Sequence, residues 1–339
     1  MTPAVTLPAA MRTEATASAR VFALTAMSVA VAALLLAGWL PVGFSIVTVF
    51  LFAGPHNWIE FRYFLPRTPV RWGRLRTYFL LAFGGAIGLT VSFAALPFLV
   101  RLGGDSNGLW WTASAAWNSM VLGWIAVLVC LRGRQNPRRD WRWLTALTPG
   151  LIVGAWAAPQ WCALVLTYLH PLLALWILDR EIRRSRPAWR RAYHLCLACV
   201  PLLLGVLWWQ LAGAPPLQGE DALTLRITRH AGSDVLRGIS SHLLVSTHTF
   251  LEMLHYGVWI AVLPLVAGRT APWRLDCIPL TRRSSTWRVL IGSLFAAATA
   301  VVLLLWIGFA INYPMTRDIY FTVALFHVLA EIPFLLRTL

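Results

Sequence analysis

Lysine is absent from this 339-residue chain, and acidic residues are few: 13 Asp and Glu stand against 29 arginines. Charged residues make up only 12% of the sequence, about half of the ~25% found in soluble domains. No polar stretch is long enough to form a soluble domain of its own. Cysteine is also scarce, with five residues. Cys196 and Cys199 form a Cys-x-x-Cys pair, but it lies in an apolar run, and Val200 follows where a c-type haem site needs His. Nothing implies a disulfide framework, and the pair is read as core packing. There is no internal repeat, no low-complexity segment and no His-x-x-His-His box. The net charge of +16 would suit a nucleic-acid binder. Here, however, the arginines fall between apolar runs, which excludes nucleic acid as the partner and points to topology.

The rest of the chain is apolar. Hydrophobic residues reach 58% and the mean hydropathy is +0.66. Runs of about 20 apolar residues are long enough to cross a bilayer as helices. Ten are expected, at 21–39, 42–61, 77–100, 111–131, 144–158, 160–178, 195–213, 239–266, 289–310 and 319–336. With the N-terminus inside, 24 of the 29 arginines fall in cytoplasmic segments; only Arg101, Arg226, Arg229, Arg237 and Arg317 fall outside. The expected fold is all-α: a polytopic membrane helical bundle of about ten transmembrane helices with both termini cytoplasmic. Residues 1–20 form a cytoplasmic N-terminal segment, and 21–339 a single transmembrane domain. The bilayer is one partner, and the expected location is a bacterial-type inner (plasma) membrane.

Three carboxylates lie well inside apolar segments: Glu60, Glu252 and Glu331. Each follows a histidine by four residues, in the pairs His56–Glu60, His248–Glu252 and His327–Glu331. That spacing places both members on one helix face. The eighth span adds His255, giving a Glu-x-x-His arrangement, and the sixth adds His170. By the arginine count, the second, sixth, eighth and tenth spans all run from outside to inside. Ionisable groups within a membrane are costly and mark functional sites, so a site shared by these four helices is expected. Its candidate metal ligands are His56, Glu60, His170, His248, Glu252, His255, His327 and Glu331. A metal-free proton or substrate pathway and plain structural hydrogen bonding are the alternatives. His194, His230 and His242 fall at span edges or in an outside loop and are read as non-ligands.

Imidazoles with carboxylates suit iron, zinc or manganese. The donors outnumber what one zinc ion needs, so either two metals bind or some members orient the others. Glu60, Glu252 and Glu331 are also candidate proton carriers, and Tyr256, beside His255, is a candidate for proton or electron transfer.

Gly54-Pro55-His56-Asn57-Trp58-Ile59-Glu60 resembles the Pro-His-Gly-x-x-Asp motif of the Brp/Blh family of membrane β-carotene 15,15′-dioxygenases. The segment Ala158-Pro159 to Tyr168-Leu169-His170 is similar to that family's central Ala-Pro…His segment. The resemblance implies an all-helical fold, non-haem iron and His56 and His170 as its ligands. Asn57 and Glu60 stand where the family has Gly and Asp, and Pro171 stands where its paired histidines would follow.

The reading reached is an integral-membrane non-haem metal oxidoreductase or oxygenase. Its cofactor is one or two iron ions, with zinc and manganese as alternatives, and its substrate is a lipophilic small molecule such as an isoprenoid or acyl lipid. The rival is a proton- or cation-coupled transporter using the same His and Glu residues.

Overall fold

The computed structural model describes residues 9–69, 73–104, 107–137, 140–219, 221–267 and 275–338, without the side chains of 9–16 and 338. Residues 1–8 of the expected N-terminal segment, and Arg71, Asp105, Arg138, Arg139, Glu220, Arg269 and Arg274, lie outside this description. Among the described residues every regular element is helical, as a bilayer requires of a chain that must satisfy its own backbone groups. In order these are α1 (Ala9–Trp39), α2 (Pro41–Phe64), α3 (Arg76–Leu102), α4 (Asn107–Gln135), α5 (Thr148–Ala157) and α6 (Pro159–Ser185). They are followed by α7 (Arg190–Leu211), α8 (Ala222–His230), α9 (Ser241–Gly257), α10 (Leu263–Val266), α11 (Ser285–Ile311) and α12 (Tyr313–Thr338).

Among the described residues nine helical segments are long and apolar enough to cross a membrane, the make-up of a multi-pass helical membrane protein. The expected span at 144–158 differs from the rest. It is a 3-10 turn over Arg142–Leu147 leading into the ten-residue α5. At 1.5 Å per residue α5 is about 15 Å long, half of a hydrocarbon core of about 30 Å.

Prolines set the joints. Pro41 and Pro159 each open a helix, where the missing N–H is not needed. The residue before Pro159, Ala158, is pushed out of the helical region, to φ −153° and ψ 74°. Another proline reshapes a helix from within. Beyond α9 the chain makes a π-helical turn, Val258–Val262, before α10. Pro264 has no N–H for the Ile260 carbonyl, and its ring would press on that carbonyl in a regular α-helix. The wider turn relieves the clash.

The chain divides into two compact units, Met1–His56 with Thr167–Ala271, and Asn57–Leu166 with Pro272–Leu339. The first holds α1, most of α2, α6 from Thr167, and α7 to α10. Its interior joins Ala33, Leu34 and Ala37 of α1 to Leu207 of α7 and Phe250 and Leu251 of α9. Small residues on α1 allow that close approach, as is usual where lipid supplies no hydrophobic drive between helices. Beside them lies a cavity of about 600 Å³, lined almost wholly by apolar side chains of α1, α6, α7 and α9 and of the π turn. Outside the spans, α8 starts at Asp221, whose carboxylate accepts from the Leu223 and Thr224 amides at 3.0 and 2.8 Å. The Thr224 side chain and amide hold that carboxyl below its ordinary range, with the Leu223 amide adding to the effect.

The second unit is built on α3, α4, α11 and α12. Leu89 and Leu96 meet Trp117, Leu325 and Leu329, and Phe64 stacks on Phe334 with centroids 4.5 Å apart. Trp117 donates to the Leu89 carbonyl at 2.9 Å and Tyr78 to the Pro333 carbonyl at 2.7 Å. The short α5 is tied to α4 by the Trp156 indole, which donates to Ser119 Oγ at 3.1 Å.

Candidate metal centre

The most buried span is the one that includes α9. Its most apolar window is 56% buried, against 11% for the spans of α7 and α11, so α9 is a core helix and they are peripheral. Ser240 caps α9 by accepting from the His242 amide, and the helix then runs without interruption to Gly257. Many of its polar residues are buried: Ser246, Thr247, His248, Thr249, Glu252 and His255. The His248–Glu252–His255–Trp259 face lies opposite Met253, Leu254, Gly257 and Ala261. That second face lines the apolar cavity, so the cavity backs the polar residues without opening onto them.

In the first unit three imidazoles gather. The His255 ring lies 5.3 Å from that of His56, nearly perpendicular at 77°, and 4.5 Å from that of His170. His56 and His255 each offer a ring nitrogen within 4.8 Å of the other's, a spacing that an ion with bonds near 2.0–2.1 Å can close with small rotamer changes. Nδ1 of His56 lies 3.1 Å from the Phe52 carbonyl. A carbonyl only accepts, so Nδ1 carries the proton and Nε2 the lone pair. Metal-ligating histidines are typically oriented in this way, with the second nitrogen bonded to a backbone oxygen. Tyr256 packs its ring on His56 with centroids 4.4 Å apart and donates its hydroxyl to Glu252 Oε1 at 2.8 Å. That bond holds Oε1 of Glu252 in place.

Glu60, one turn beyond His56 in sequence, belongs to the second unit. There it offers a donor atom within 4.8 Å of one on His327, and its carboxyl group faces that of Glu331 within hydrogen-bonding reach. Glu60 and Glu331 are 2% and 1% exposed. Two carboxyl groups this close and this dry need a proton or a cation between them. Within the first unit, the imidazole donors and the His56 tautomer fit a transition ion.

His248 stands apart. It lies seven residues before His255, about 10 Å along α9 at 1.5 Å per residue. Its ring neighbours are His230 at 5.0 Å and Tyr168 at 5.9 Å. Spacing along the sequence gives no reason to pair His230 with His248, because no spacing rule links the end of α8 to α9. The other two histidines have local partners: His194 Nε2 pairs with Asp179 Oδ1 at 2.7 Å, and His242 Nε2 lies 2.9 Å from the Gly38 carbonyl.

No family model, no curated protein and no solved structure matches the chain.

Proposed function

We propose that the protein is a membrane-embedded, metal-dependent oxidoreductase, with its metal centre in the first unit. His56 of α2 and His255 of α9 are its donors, and His170 of α6 packs against His255. In the second unit Glu60 and His327 make a separate donor pair. The observation that carries the reading is the His56–His255 pair, two buried imidazoles with facing nitrogens and one of them set in the ligating tautomer by a backbone carbonyl. Iron is the ion best suited to oxidation chemistry with mixed nitrogen and carboxylate donors, and it would supply the electron transfer that no side chain here provides. The protein's part is to fix the donors and exclude water. Burial within the bilayer suits a lipophilic substrate such as an isoprenoid or acyl lipid, and the resemblance of Gly54–Glu60 to the Brp/Blh motif agrees with this class.

The topology in this reading is that of a bacterial-type inner membrane protein with ten crossings and both ends inside. The 3-10 turn adds about 12 Å to α5 at 2.0 Å per residue, so Arg142–Ala157 reaches about 27 Å, close to the core thickness.

One observation favours cation-coupled transport as a second reading. The buried polar residues of α9 run from Ser246 to His255, about 14 Å along the membrane normal if the helix stands upright. Elemental analysis of the purified protein tests the leading reading. About one iron per chain, lost in both His56→Ala and His255→Ala, supports it. Metal-free protein that stays folded sinks it, and ion flux in liposomes abolished by the same changes moves the conclusion to transport.

A further inference from the structure

The upper part of α9 has its own set of donors. The His248 ring meets that of His230, the last residue of α8, with centroids 5.0 Å apart and planes at 86°. His248 Nδ1 lies 3.9 Å from Glu252 Oε2. Glu252 is only 6% exposed, and its Oε2 accepts no hydrogen bond among the described residues. Leaving a buried carboxylate oxygen in that state costs about 1–3 kcal/mol or more, unless a cation completes it.

The arrangement is held from both sides. Tyr168 donates its hydroxyl to the Ala231 carbonyl at 2.9 Å and lies 3.3 Å from the Leu244 carbonyl. It thereby ties the end of α8, next to His230, to α9 one turn before His248. Tyr256 fixes Oε1 of Glu252 at 2.8 Å and leaves Oε2 on the His248 side. Exposure falls along the set: His230 is half-buried, while His248 and Glu252 are buried.

We infer that His230, His248 and Glu252 form a second metal site at the α8 end of this unit, and that a divalent transition ion binds there before it reaches His255 and His56. Two nitrogens and one carboxylate oxygen leave open positions on such an ion, as an entry site needs. The roughly 10 Å along α9 between His248 and His255 is too long for a dinuclear pair, whose ions lie about 3.5–4 Å apart. The two sites are therefore separate mononuclear stations. The onward transfer rests on the metal centre proposed above, whereas the outer site rests on its own residues.

The test is a Co²⁺ titration of the full chain, purified in detergent and stripped of metal, with visible absorption reporting the ligands and stopped-flow mixing the loading rate. The expected result is two equivalents for the native chain. His230→Ala, on α8 outside the spans, loses one and fills the other at least about tenfold more slowly, the scale of effect known for groups around metal sites. His230→Asp, which restores a donor, recovers both properties, and His255→Ala keeps the outer equivalent. Two equivalents taken up by His230→Ala at an unchanged rate would overturn the inference, as would one native equivalent that only His255→Ala removes. A single native equivalent lost in His230→Ala but kept in His255→Ala would uphold the outer site and overturn the inner centre. No binding at all would overturn both.

Discussion

Replacing Tyr256 with Phe removes one oxygen and little else. The ring stays against His56 at 4.4 Å, so packing is conserved. What goes is the 2.8 Å hydrogen bond to Glu252 Oε1. A buried hydrogen bond of this kind, with its acceptor left unsatisfied, is worth about 1–3 kcal/mol. If the bond serves to aim Oε2 of Glu252 at an ion beside His248, the loss falls on metal affinity at that site. A supporting group around a metal changes affinity by about 10- to 100-fold, or about 1.4–2.7 kcal/mol at 1.36 kcal/mol per decade. The two routes to the magnitude agree. The assay is the Co²⁺ titration followed at both sites, with a thermal melt in the same detergent as a control for folding. The expected outcome is an affinity lower by one to two decades at the outer site and a smaller change at the inner one. An outer affinity within about threefold of the native value refutes the positioning role, and so does a loss confined to the inner site.

Three further outcomes follow from the packing. A Cβ added at Gly85 would lie 2.1 Å from Trp124 Nε1 and 2.4 Å from Cδ1, and that indole is held by a bond to the Leu81 carbonyl. Gly85→Ala should therefore lower stability by about 1–3 kcal/mol, read by chemical denaturation in micelles; an unchanged midpoint would count against the close approach of α3 and α4. Leu207→Ala empties a site at the junction of α1, α7 and α9 where the side chain is 1% exposed. In a soluble core such a change costs about 2–5 kcal/mol, but lipid contributes little transfer energy, so about 2 kcal/mol is expected, and a loss above about 4 kcal/mol would show that the bilayer argument is wrong. The Asp221 carboxyl titrates below its ordinary range, so its cap on α8 is fully present above the unfolded carboxylate pKa and is lost as pH falls through the lower folded value. Amide exchange at Leu223 and Thr224 should accelerate at strongly acidic pH, and Asp221→Ala should show the faster exchange at all pH values; flat exchange in the native chain across that range would contradict the cap.

Much of this was readable in the sequence for a simple physical reason. A bilayer forces helix on any apolar run of sufficient length, so the spans around α1, α3 and α11 follow from composition alone. The His–Glu spacing was equally legible, because positions four apart on a helix share a face whatever surrounds them. That spacing puts His56 with Glu60 and His248 with Glu252 on one helix face. Composition left the 144–158 run as an ordinary helix, since hydropathy does not distinguish a 3-10 turn from an α-helical one.

Tertiary structure decided which side chains meet. The sequence treated His248 and His255 as one cluster on a common face, and they do share that face of α9. Packing gives them different neighbours, His230 and Tyr168 for the first and His56 and His170 for the second. His230 could not be found from spacing, because its contact depends on the fold of the α7–α9 connection and on a tyrosine that bonds to two helices. The π turn after α9 likewise needed the backbone, since Pro264 alone allows a kink, a break or a bulge. Local periodicity determined the helices and the faces on which the chemistry sits. Long-range packing, which no period encodes, decided how those faces are grouped.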